Sequence, residues 1–299
     1  MTEAAAKQQH IGAMELFGVT GFSFFFAYEL LCYFWLWTDF PPGYSGFVTG
    51  LVQISVFVGL SAALISVSLT KKWLMRPHFF TFSAPALLAL GLILPLEAFL
   101  VNLGLALPAA SYPVGGLCTG LAGGYFTLRW MDGAGMARIH RHVTFTSASI
   151  AGGAVLFFLV GLIVPLAQPL FAVVYLVASF GFLTFLRTRT DTTNDFTVKT
   201  RRDLLPFIKE VEPSIFTYGV VFGMGFALLF VESATAGANV VLWGMLAVFV
   251  GGAVVLGCDL AKVAINITLA QRAILVFVLA ACLLVPFTSG GWRVLGLCL

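Results

Sequence analysis

Three carboxylates lie inside apolar runs of this 299-residue sequence: Glu29 in "FFFAYELLCYFW", Glu97 in "LPLEAF" and Glu232 in "LLFVESA". An acid in such surroundings can take up and release a proton, or it can hold the polar end of a ligand. Either role requires its charge to be suppressed or matched, because a bare carboxylate in apolar material costs about 2.5 kcal/mol or more. No Lys or Arg stands at comparable depth in the sequence, so each acid is expected to be protonated or hydrogen-bonded. Glu29 is the deepest, with Tyr28 beside it and Tyr33 one turn on. It reads either as a proton-coupling or ligand-binding group in a central cavity, or as a neutral acid bonded to a nearby hydroxyl or carbonyl. Glu97 and Glu232 lie nearer the ends of their runs. Gln53 and Asn102 read first as polar contacts between helices. Glu29, Glu97, Glu232, Tyr33 and Gln53 are the candidate ligand- or proton-binding residues.

The elements that must position them follow from composition. Hydrophobic residues make up 60% of the chain, charged residues only 10%, and the mean hydropathy is +1.01. A soluble domain could not cover itself with so little charge. Apolar stretches long enough to cross a bilayer fall near 14–38, 46–70, 80–103, 112–131, 143–166, 169–187, 213–235, 238–260 and 272–289, which predicts an all-α, polytopic bundle of about nine spans. The opening "MTEAAAKQQH" is too polar and short for a secretory signal. The five cysteines are scattered in apolar segments and read as small apolar fillers.

Basic residues set the direction, since cytoplasmic loops retain Lys and Arg. With the N-terminus inside, the cytoplasmic side receives Lys7, then Lys71, Lys72 and Arg76, then Arg129, Arg138 and Arg141. It also receives the basic residues of one long loop and then Lys262 and Arg272, whereas the outside receives only Arg293. The expected location is the inner (cytoplasmic) membrane. Arg129 reads as one of the topology determinants near anionic headgroups.

The stretch 118–142, "CTGLAGGYFTLRWMDGAGMARIHRH", is the inner end of the fourth span. Gly116, Gly120 and Gly124, four residues apart, put three side-chain-free positions on one helix face, and a packing seam is the first reading of that stripe. Gly115 falls on a different face. Trp130 is expected at the interface, with its ring buried and its N–H bonded to a polar partner. Tyr33, Trp35, Trp37 and Tyr44 read as an aromatic belt.

Chemical signatures are few. "GAGMAR" at 133–138 lacks the preceding strand and third glycine of a dinucleotide loop. His140 and His142 have no carboxylate or cysteine at metal-ligand spacing. There is no H-E-x-x-H, G-x-S-x-G or G-K-[ST] motif. An enzyme is the weakest class, and no catalytic residue, metal or cofactor is expected.

Organisation carries more than motifs. Residues 1–13 form a cytoplasmic N-terminus, 14–187 a six-helix half, 188–212 a polar cytoplasmic loop and 213–299 a partial second half. This layout resembles the major facilitator superfamily, whose halves are repeats enclosing a midplane site. The loop "SLTKKWLMRPHFF" departs from that family in lacking its acidic residue and glycines. "TGLAGGYFTLRWMDGAGMARIHRHVTFTSASI" (119–150) and "YGVVFGMGFALLF" (218–230) are similar to the membrane region of LuxR-type regulators of actinobacterial anaerobes, which carry a C-terminal helix-turn-helix. That likeness implies a membrane sensor with a cytoplasmic output domain. No such domain is expected within these 299 residues, so no direct nucleic-acid binding is expected within the chain, which reads as a fragment, a truncated gene product or a diverged remnant. A ligand-sensing membrane module is the favoured function; a facilitator-type transporter of a small, apolar or aromatic substrate is the alternative.

The charge distribution places 188–212 in the cytoplasm and the connection near 104–111 outside. Cysteines introduced at 195 and 107 of intact cells should therefore differ, with a membrane-impermeant maleimide labelling only 107. Strong labelling at 195 would refute the orientation.

Overall fold

The computed structural model describes residues 3–32, 46–74, 77–105, 107–136, 142–163, 167–189 and parts of 249–261. The chain divides into two compact units, Met1–Asp191 with Val248–Leu256, and Thr192–Ala247 with Gly257–Leu299. Only the first is described in detail. Its architecture is six long helices: α1 (Glu3–Leu30), α2 (Gly46–Leu74), α3 (Pro77–Asn102), α4 (Ser111–Met136), α5 (His142–Gly161) and α6 (Gln168–Arg189). No strand occurs among the described residues.

Helix limits follow local chemistry. α1 starts at Glu3, earlier than the apolar run, because the Ala, Lys and Gln of "EAAAKQQH" are strong helix formers. Past Leu30 it widens to π geometry at Leu31 and Cys32. α3 ends in a glycine cap. Gly104 takes a φ of 83°, and the Leu105 and Gly104 amides donate to Leu100 and Val101 carbonyls at 3.1 and 2.8 Å. These two bonds form a Schellman motif, which favours glycine at the left-handed position. Pro113 and Pro169 fall in the first turns of α4 and α6, where a missing N–H costs nothing.

Contacts between neighbours give the helix directions. Gly116, Gly120 and Gly124 lie against Val52, Val56 and Leu60 in rising order, so α2 and α4 run parallel. Gly152 and Gly153 meet Ser23 and Phe26, and Ser149 Oγ lies 3.4 Å from Val19 O, so α1 and α5 are parallel too. Phe17 packs on Phe185 and Phe24 on Tyr175, which makes α1 and α6 antiparallel. Glu97 faces Gly115 while Gly91 faces Ala122, which makes α3 and α4 antiparallel. Successive helices therefore alternate in direction.

The α2–α4 pair is the most extensive in the unit. A Cβ on Gly120 would collide with the backbone carbonyl of Val56, and one on Gly59 with that of Leu117. Main chains in contact cannot yield as side-chain ends can. On the opposite side of α4, Phe22, Phe25, Phe126 and Phe145 form an aromatic core with Trp130.

Apolar side chains occupy both the core and much of the exposed surface, and a few polar groups are buried. Ile54, Leu159 and Val174 are at least half exposed, whereas Arg129, Ser149 and Ser179 are buried. Ser83–Asn102 of α3 and Gln168–Leu186 of α6 are each long and apolar enough to cross a membrane.

Gly115 is not an open position, since a Cβ there would strike the Glu97 carboxylate. Gly181, exposed and with nothing near its Cβ direction, is the proper comparison. Gly120→Leu should destabilise the protein by about 1–3 kcal/mol or prevent folding, while Gly181→Leu should shift the melting temperature in detergent little. Equal small losses would remove the seam.

Candidate functional site

α4 carries glycine doublets at 115–116 and 123–124, eight residues apart. Consecutive helix residues point about 100° apart, so each doublet opens two faces at once. Gly116 and Gly124 admit α2. Gly115 and Gly123 admit acids instead: a Cβ on Gly115 would strike Glu97 Oε2, and one on Gly123 would strike Glu29 Oε1. The carboxylates of α3 and α1 are thus seated directly on the α4 backbone.

Thr119 lies midway between them on the same i, i+4 row. Its side chain is buried. Thr119 Oγ1 and Glu97 Oε2 are buried with no hydrogen-bond partner among the described residues. Ser111, at the start of α4, is the hydroxyl neighbour of Glu97, and its Oγ also donates to Pro108 O at 2.9 Å.

Glu29 is 8% exposed and Tyr28 is fully buried. The Tyr28 hydroxyl donates to Gly91 O at 2.6 Å. The reason is in α3: Pro95 has no N–H to return to the carbonyl four residues back, and its ring crowds that carbonyl. That carbonyl belongs to Gly91. Tyr28 supplies the missing donor from another helix, and Gly91 lacks the side chain that would keep the phenol away. Cys32 is buried beside Tyr28 and Glu29.

Arg129 corrects the sequence reading. Instead of reaching headgroups it is 1% exposed, with Nε and Nη2 donating to Tyr125 Oη at 2.9 and 2.7 Å and the guanidinium 5.1 Å from the Tyr125 ring centre. The Tyr125–Arg129 pair is one turn apart, a spacing that could have signalled it. Arg129 follows Gly123 by six residues, about 9 Å of helix, so a buried base stands on the helix that holds Glu29. Trp130 is buried as well, and its indole N–H finds the expected polar partner, donating to Ser179 Oγ at 2.9 Å.

Gln53 is half-buried on α2. Gly116, Gly120 and Gly124 all pack against α2. Tyr33, Glu232, Trp35, Trp37, Tyr44, His140 and the loop from 190 to 212 lie outside the described residues, as does most of 213–299. Among the described residues, no three His, Cys, Asp or Glu side chains gather as a metal site. The chain matches no family model, no curated protein and no solved structure, so function rests on its own residues.

The α1–α3 link predicts a measurable coupling. Tyr28→Phe orphans a buried carbonyl and should cost about 1–2 kcal/mol. In a Pro95→Ala background the restored backbone N–H at position 95 can close the bond to Gly91 O, so Tyr28→Phe should cost about 1 kcal/mol less. Melting temperatures of the four proteins in detergent measure this, and additive losses would contradict it.

Proposed function

We propose that this chain is a multi-pass module of the inner (cytoplasmic) membrane, N-terminus inside, that senses a small ligand or a proton at Glu29 and passes the signal to a cytoplasmic output domain or regulator. The reading takes the chain as facilitator-like, a six-helix half followed by a partial second half, and as a binding protein rather than an enzyme. Apolar outward faces and buried polar groups support placement in a bilayer, since lipid reverses the usual demand on a helix surface.

The observation that carries the sensing role is the seat of Glu29. Its carboxylate rests on Gly123 of α4, and the preceding residue, Tyr28, holds α3 through Gly91. A change of charge or occupancy at Glu29 therefore acts on α1, α3 and α4 together. Signalling needs such a coupling between binding and packing. The second reading, secondary transport of a small, apolar or aromatic substrate, draws on the second acid, Glu97, on the same face of α4.

Proteoliposomes separate the two. With an internal pH-sensitive dye and an imposed pH gradient, the sensor reading expects a pH-dependent change in tryptophan fluorescence that Glu29→Gln abolishes, with no Glu29-dependent proton flux. Glu29→Gln should keep expression and melting temperature, because neutral Glu and Gln are nearly isosteric. Flux that disappears in Glu29→Gln would replace sensing with transport. A wild-type pH response retained in Glu29→Gln would leave Glu29 a packing residue.

A further inference from the structure

We infer that the α4 row Gly115–Thr119–Gly123 is a proton path: Glu97 collects a proton at the outer side and passes it through Thr119 and intervening water to Glu29. This rests on the reading of Glu29 as a titrating group and adds the source of its proton and the route.

Two carboxylates on the two ends of one helix face would be only an acidic pair. Thr119 is the independent observation. Thr20, Ser23, Thr127, Ser149 and Thr184 each turn their hydroxyl back to the carbonyl four residues earlier, at 2.8–2.9 Å. That local bond is the ordinary resting place of a helical hydroxyl. Thr119 does not make it, although it is 2% exposed and its Oγ1 has no partner among the described residues. A buried hydroxyl left this way has donor and acceptor capacity to give to water. Because Cβ atoms lean toward the helix N-terminus, Thr119 leans toward Glu97, whose Oε2 is also unpartnered among the described residues.

The separation excludes direct transfer. Gly115 and Gly123 are eight residues apart, about 12 Å of helix, too far for one cation to bridge both carboxylates and a suitable span for a few waters on either side of Thr119. The step involves only O–H bonds. A proton from outside converts the Glu97 carboxylate to the acid; the acid releases it to water. Thr119 Oγ1 accepts a proton from that side as its own hydroxyl proton leaves to the next water, and that water protonates Glu29. Glu97 returns to carboxylate and is recharged at the Ser111 end. Among the described residues, the ionisable groups near the path include Cys118 beside Glu97, Tyr28 and Cys32 beside Glu29, and Tyr125 with Arg129 further along α4.

The test is time-resolved infrared difference spectroscopy on the full chain in proteoliposomes after a jump in external pH. Glu29→Gln and Glu97→Gln assign the carboxyl bands. Thr119→Val, close in shape but without the hydroxyl, should slow the appearance of the Glu29 band at least about tenfold, about 1.4 kcal/mol on the barrier, with its final amplitude unchanged. Thr119→Ser should restore the rate. Glu97→Gln should slow the Glu29 band equally, which keeps the test open if Thr119→Val does not fold. An unchanged Glu29 rate in a folded Thr119→Val or in Glu97→Gln would overturn the path while leaving Glu29 as a titrating group. Absence of any band lost in Glu29→Gln would overturn the path and the reading of Glu29 together.

Discussion

The closeness with which neighbours approach α4 is the constraint on which the rest of the helical unit depends. Without a Cβ at Gly116, Gly120 and Gly124, the main chains of α2 and α4 touch, an approach that only side-chain-free positions allow. The same absence at Gly115 and Gly123 lets two carboxylates lie on the helix backbone. A methyl group at either position would push an acid off that seat. Packing and chemistry therefore share one set of residues.

A second dependence runs through Pro95. In a bundle with an apolar exterior, a carbonyl freed by proline must be satisfied within the protein. Tyr28 does this for Gly91 at 2.6 Å. The consequence is positional. Glu29 follows Tyr28 directly, so a helix defect in α3 fixes the depth and rotation of the acid on α1. The buried Arg129 and Trp130 obey the same rule, each finding its partner in Tyr125 or Ser179.

The six helices were legible because each contains a long apolar run bounded by polar or Pro-containing segments, although only those of α3 and α6 are, among the described residues, long and apolar enough to cross a membrane. Their limits were less so: α1 begins in polar residues with high helix propensity, a property that hydropathy does not register. Gly120 could be placed on a stripe from spacing alone. Gly115 could not, because its neighbour is an acid on another helix. The doublets at period eight are visible in the sequence, but spacing alone identifies only the face they share with Gly120. Arg129 misled for a physical reason: near the end of an apolar run, a base bound for headgroups and one folded back on a tyrosine have the same sequence context. Tyr28 and Gly91 are 63 residues apart, and only the Gly-x-x-x-Pro spacing in α3 hints that a donor is needed there.

The seating of Glu29 bears on what kind of response the module can give. A group in an open cavity can change charge while its surroundings stay fixed, because water reorganises around it. Glu29 has backbone on one side and, through Tyr28, a structural hydrogen bond on the other. Charging it therefore sets two requirements against each other, solvation of the carboxylate and closure of α1 on Gly123. The proposed sensing role uses this conflict: a change of charge on Glu29 would press on the contact of α1 with Gly123. Close backbone packing makes such a response stepwise rather than graded, since interfaces of this kind have discrete arrangements. Under the sensing role proposed above, glycine on α4 is what would let the occupancy of one buried oxygen act on the spacing of whole helices.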